Sequence, residues 1–249
     1  MLSSLRRTLA ALLALTCPLP ATAEEALVAV AANFAGTATE LASRFEAESG
    51  HGLVITSGST GKLYAQIVNG APYDLFLAAD KARPRKLRTD GLTGAGPVTY
   101  ASGQLGIWIR DRSDPDEGGY AGSLTELRRI ALANPALAPY GEAAMDVIDR
   151  LAIRDKLAGR LAFGENVGQA FAMVASGAAD GGILSWSLIL DAGTESQSWL
   201  VPADWHRPIE QDAVLLRGGE DNPAARAFFE YLTSEAGRAI IEQNGYLLP

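Results

Sequence analysis

The stretch ALVAVAANFAGTATELASRFEAESGHGLVITSGSTGKLYAQIVNG, residues 26–70, decides the fold. Residues 26–32 form an apolar run too short for a buried helix, so they read as a buried strand. Residues 37–48 carry Leu41 and Phe45 at helical spacing and stop at Gly50, the residue that most readily closes a helix. Residues 53–57 then read as a second strand, 60–69 as a helix closed by Gly70, and 74–79 as a third strand. Alternation of this kind predicts a parallel sheet covered by helices.

The same rhythm continues outward. After a loop around residues 91–97, residues 104–109 read as a strand and 111–119 as a turn or exposed loop. Ser123-Leu124-Thr125-Glu126 has the spacing of a capping box. Strands are expected at 130–133, 161–164, 182–185 and 209–216, and helices at 140–152, 167–176 (ended by Gly177), 222–232 and 234–243. The picture is two α/β halves with helical ends.

Residues 1–23 stand apart. Arg6 and Arg7 precede a short apolar run, and Ala21-Thr22-Ala23 offers a small-residue cleavage site, the pattern of an export signal. The run is shorter than the ~20 residues that span a membrane. Removal of residues 1–23 takes away Arg6, Arg7 and Cys17, the only cysteine, and leaves 226 residues with 19 basic against 29 acidic side chains. The net charge moves from −8 to −10. That balance excludes a general nucleic-acid binder, which needs excess Lys and Arg against phosphate. Without cysteine there is no disulfide, thiol nucleophile or thiolate metal site, and His51 and His206 are too far apart in sequence to suggest zinc.

Enzyme motifs are also missing. No serine has glycine at both −2 and +2, which excludes the nucleophile elbow. Gly58-Ser59-Thr60-Gly61-Lys62 looks phosphate-like, yet Thr56 and Leu63 stand where a P-loop needs Gly and Ser or Thr. No G-x-G-x-x-G follows a strand.

What remains is four strand-to-helix junctions of one character: Ala32-Asn33, residues 57–61, Ala138-Pro139-Tyr140-Gly141 and Asn166-Val167-Gly168. A helix start has unpaired N–H groups and partial positive charge, so it receives an anion without Lys or Arg. Gly58, Gly61, Gly141 and Gly168 let backbone approach a small ligand. Taken singly, each junction also has a structural reading: Asn33, Ser59 or Thr60 as N-caps, Tyr140 packed over its helix, Val167 as an ordinary core residue. Convergence of the four favours a binding site.

These residues resemble a known family. Residues 33–37, 57–61, 64–76, 134–141, 166–170 and 245–249 are similar, in the same order over nearly the whole chain beyond residue 23, to the molybdate-binding periplasmic proteins of ABC importers. The resemblance implies a two-lobed type II periplasmic binding fold, each lobe a mainly parallel sheet flanked by helices. Lobe one would take residues 24–101 and 208–249, and lobe two residues 102–207. It implies a non-enzymatic, periplasmic, monomeric receptor that uses no cofactor and hands molybdate or tungstate to a membrane permease. The oxyanion would sit between the lobes on Asn33, Ser59, Thr60, Tyr140 and Val167, with Ala32 and Ser185 as further candidates and no protein atom bound to molybdenum. Asp74 and Asp80 would bond backbone at the base of the cleft. The family commonly has Ser or Thr at position 33 and Ala at 140; a subgroup shares this chain's Asn and Tyr. The alternatives are a receptor for sulfate, phosphate or a carboxylate, an orphan receptor serving a sensor, and a secreted hydrolase. A carboxylate receptor usually supplies an Arg, and none of the four junctions has one.

Overall fold

The computed structural model describes residues 23–112 and 119–249, so the export-signal reading lies almost wholly outside the described residues. Strand β1 (Glu25–Ala31) is followed by a short 3-10 turn (Ala32–Phe34), α1 (Ala35–Ser49), β2 (Gly52–Gly58), α2 (Thr60–Val68), β3 (Leu75–Leu77), α3 (Ala82–Thr89) and β4 (Thr93–Gly103). The chain then enters a second sheet with β5 (Leu105–Ile109), α4 (Gly119–Glu126), β6 (Ile130–Ala133), α5 (Pro139–Arg150), β7 (Leu161–Gly164), α6 (Val167–Ala175), β8 (Gly181–Ser185), α7 (Trp186–Asp191) and β9 (Ser198–Leu200). It returns to the first sheet with β10 (Ile209–Leu216) and closes with α8 (Pro223–Tyr231) and α9 (Glu235–Gln243).

The two sheets have matching topology, β2-β1-β3-β10-β4 and β7-β6-β8-β5-β9. In the first, β1 runs parallel to β2 and β3, while β10 is antiparallel to both β3 and β4. In the second, β6 runs parallel to β7 and β8, and β5 is antiparallel to β8 and β9. Each sheet therefore points four of its five strands one way, and the strand that opposes them belongs to a crossover.

Burial explains these elements. Val28 and Val30 on one face of β1 pack with Leu41 and Phe45 of α1, while Ala29 on the other meets Leu63 and Ile67 of α2. Being covered on both sides, β1 reads as a continuous apolar run. Gly50 and Gly70 end their helices at φ 76° and 85°, a conformation costly for other residues.

Four details depart from the sequence reading. The stretch read as a loop at 91–97 belongs largely to β4, which tolerates its glycines because the pairing with β10 shifts register three times. Helix α3 was hidden by Pro84 and four cations, and buries only Pro84 and Leu87. Helix α7 likewise went unread. Ser123 is no capping-box N-cap, since it lies inside α4. Of the segment 111–119, residues 113–118 lie outside the described residues.

Candidate anion site

The four junctions meet. Each follows the C-terminal end of a parallel strand, β1, β2, β6 or β7, and these ends face one another across the gap between the lobes, where α/β folds place ligands. Ala32, Asn33, Ser59 and Thr60 from one lobe, and Tyr140 and Val167 from the other, surround a cavity of only ≈ 10 Å³. That is below the ~300–1,000 Å³ of sites for drug-sized molecules, so the occupant is small. No lining residue is charged.

The hydroxyls have a specific arrangement. Thr60 Oγ1 accepts the backbone N–H of Ala79 at 3.2 Å, and Ser59 Oγ accepts that of Lys62 at 3.4 Å. Both residues are 1% exposed, and among the described residues no acceptor takes either hydroxyl proton. Buried polar groups are nearly always paired, so two unclaimed protons beside a cavity mark a place for an acceptor. Backbone adds to the set. The N–H groups of Thr60, Tyr140 and Val167 stand in first helical turns and have no partner among the described residues. Asn166 caps α6 by accepting Gln169 N–H at 2.9 Å, which leaves Val167 N–H free.

Asn33 is anchored through its side chain. Its Nδ2 donates to Gln211 Oε1 at 2.9 Å and to the Tyr246 hydroxyl at 3.1 Å, so both side-chain hydrogens are engaged away from the cavity. Its carbonyl accepts from Tyr246 at 2.7 Å and Ser187 at 3.1 Å. The Tyr140 phenol is similarly turned inward: Gln211 Nε2 lies 3.5 Å from its oxygen, and a Cβ on Gly103 would meet that oxygen at 2.0 Å. Burial pushes the hydroxyls of Tyr100, Tyr140 and Tyr246 upward in pKa, that of Tyr246 to about 12. These phenols are therefore neutral donors and acceptors across ordinary pH.

Ser185 does not line the cavity. It is fully buried and pairs with Ser187 Oγ at 2.7 Å. Of the glycines, Gly141 serves helix packing, because a Cβ there would lie 2.3 Å from the Ala133 carbonyl. Asp74 accepts Leu27 N–H at 2.7 Å and Asn222 Nδ2 at 3.3 Å, but at the start of β3, the end away from the cavity. Asp80 lies beside the cavity mouth and accepts Arg83 N–H at 2.8 Å.

Sequence reasoning missed the buried network of Gln211, Tyr100, Ser187 and Tyr246 behind the cavity. A signal existed: the polar run Glu210-Gln211-Asp212 stands inside a strand whose other residues are apolar. A wider depression, ≈ 220 Å³, adjoins the cavity through Ala79 and Pro139. Its charges satisfy each other, with Arg83 on Asp80, Lys81 on Glu210 at 2.9 Å, and Arg207 on Glu142 and Asp146 at 2.7 Å. Among the described residues no cluster of His, Cys, Asp or Glu suits a metal ion.

Two α/β lobes around a small, uncharged, donor-lined cleft define a solute-binding protein. The chain belongs to the bacterial extracellular solute-binding protein family, whose model matches residues 26–247. It is 40% identical over 246 residues, covering 98% of both chains, to the molybdate-binding protein ModA of Azotobacter vinelandii. It is 39% identical over 231 residues to ModA of Rhodobacter capsulatus, covering 92% of this chain and 90% of that one. The solved structure of the Azotobacter vinelandii periplasmic molybdate-binding protein superposes with a TM-score of 0.82 at 38% identity, covering 90% of this chain and 99% of that one.

Proposed function

We propose that this protein is a monomeric periplasmic receptor that captures molybdate, or the equally shaped tungstate, between its lobes and delivers it to the membrane permease of an ABC importer. Lobe one comprises residues 24–101 and 208–249, lobe two residues 102–207, and residues 1–23 direct export. The relatives named above support the choice of ion. The single observation that carries it is the pair of buried hydroxyls, Ser59 and Thr60, whose protons have no acceptor among the described residues. With the amides of Asn33, Thr60, Tyr140 and Val167 they surround a tetrahedral dianion with donors alone.

Neutral donors suffice energetically. A hydrogen bond to a charged partner contributes ~1.5–3 kcal/mol, so about six offset the several kcal/mol per charge that burial costs and leave a tight site. Molybdenum is held only through its oxygens. Hydrogen phosphate carries an O–H for which a donor-only cavity has no acceptor, and that unpaired proton is the basis of its rejection. Calorimetric titration with molybdate, tungstate, sulfate and phosphate tests the reading. Heat from the first two is expected, and phosphate binding as tightly as molybdate refutes it.

A further inference from the structure

At the rim of the cleft the two lobes touch. Gly61, the second residue of α2, donates its backbone N–H to the carbonyl of Leu137 in the other lobe at 2.9 Å. Beside it, Lys62 and Glu165 form an ion pair between the same lobes. The Gly61 amide is thus a helix-start donor turned toward protein instead of ion.

The glycine here is needed by the neighbour, not by the backbone, because Gly61 is not among the residues with positive φ. A Cβ on it would lie 2.9 Å from the Leu137 carbonyl oxygen and 3.4 Å from Leu137 Cα. That carbonyl cannot retreat easily. Its turn is fixed by Asn134, whose carbonyl accepts Leu137 N–H at 3.0 Å and Ala138 N–H at 2.9 Å, and whose Oδ1 accepts Ala136 N–H at 3.0 Å. Asn134 N–H in turn holds the Gly164 carbonyl at 2.7 Å. Within its own lobe the position is roomy: the remaining near neighbour is the tip of Arg83 at 3.4 Å, the end of a flexible side chain. A methyl group at position 61 is therefore excluded only when the lobes are together.

We propose that Gly61 and Leu137, assisted by Lys62 and Glu165, form an interlobe latch that sets how long the bound ion stays, although none of the four takes part in holding it. The latch rests on the cleft-binding reading above. It also accounts for the Gly61-Lys62 pair that resembles a phosphate loop without being one: glycine for close approach and lysine for the opposite rim.

Gly61→Ala separates a latch from a merely structural role. Stopped-flow release of molybdate should quicken about tenfold or more, the effect of overpacking a tight contact, while association stays within about threefold. The ligand-free melting temperature should hold or rise, since alanine is the better helix former. Small-angle scattering at saturating molybdate should show the variant more expanded than wild type. Lys62→Glu and Glu165→Lys should each speed release by up to about fivefold, as an exposed pair permits, and the double reversal should restore it. Unchanged release and unchanged dimensions in a folded Gly61→Ala protein overturn the latch, and a double reversal no better than either single removes the ion pair from it. If wild type ignores molybdate yet compacts with sulfate, the ion assignment falls instead, and the same comparison is read with sulfate.

Discussion

Replacing Thr60 by valine removes one oxygen while keeping the branched shape, and the structure assigns that oxygen two separable tasks. As an acceptor it satisfies Ala79 N–H at 3.2 Å, in a residue only 2% exposed. Leaving that amide unpaired costs about 1–3 kcal/mol of stability. As a donor its proton has no acceptor among the described residues, so its loss takes one hydrogen bond from the bound dianion, ~1.5–3 kcal/mol, or about a 10- to 150-fold rise in Kd. Chemical denaturation of the ligand-free protein reads the first task, and calorimetric titration with molybdate on the folded fraction reads the second. Thr60→Ser keeps the hydroxyl and should recover most of the affinity. If folded Thr60→Val binds molybdate within about threefold of wild type, the hydroxyl does not face the ion and the donor-shell argument fails.

Other expectations follow from the same geometry. Asp74→Ala should destabilise by about 1–3 kcal/mol, because Leu27 N–H and Asn222 lose their acceptor; molybdate affinity of the folded protein should not change, and a loss of binding would contradict its position at the far end of β3. On the alkaline side stability should fall above about pH 10: Tyr100, Tyr140 and Tyr246 keep their protons in the folded state, Tyr246 to about 12, whereas unfolded phenols release theirs near 10. Each phenol contributes up to ~1.4 kcal/mol per pH unit in that window, so urea titrations at pH 8, 10 and 11 measure it, and an unchanged midpoint would refute it. Gly103→Ala should weaken molybdate binding by displacing the Tyr140 ring, whose oxygen lies 2.0 Å from the new methyl position; wild-type affinity in the titration would show that the ring does not set the Tyr140 amide.

Much of the site was readable because it is local. A helix start announces itself through a cap, a small residue and the strand before it, and the run from Ser57 to Gly61 carries all three within five positions. The rest was hidden by distance in the chain. Asn33 meets Gln211 and Tyr246 across separations of 178 and 213 residues, so nothing near Asn33 reveals that its amide is already engaged. Helix α3 escaped because its apolar stripe is too thin, and β4 because its glycines and proline speak against a strand until β10 is beside them. Lobe membership follows the same rule: β10 is locally an ordinary strand, and only its pairing with β3 and β4 returns it to the first sheet.

The inward turn of the Asn33 and Tyr140 side chains has a consequence for how such a receptor can change. Where an ion is read by main-chain amides, its identity is encoded in the spacing of helix starts, and a side-chain exchange adjusts that spacing without replacing the chemistry. Retuning this cleft to a smaller or larger anion is thus an architectural problem, a matter of shifting α2, α5 or α6 along its strand. Substitution at Asn33 or Tyr140 alone leaves the main-chain part of the donor pattern standing, so that part of the selectivity withstands mutational drift, whereas the hydroxyls of Ser59 and Thr60 remain exposed to it.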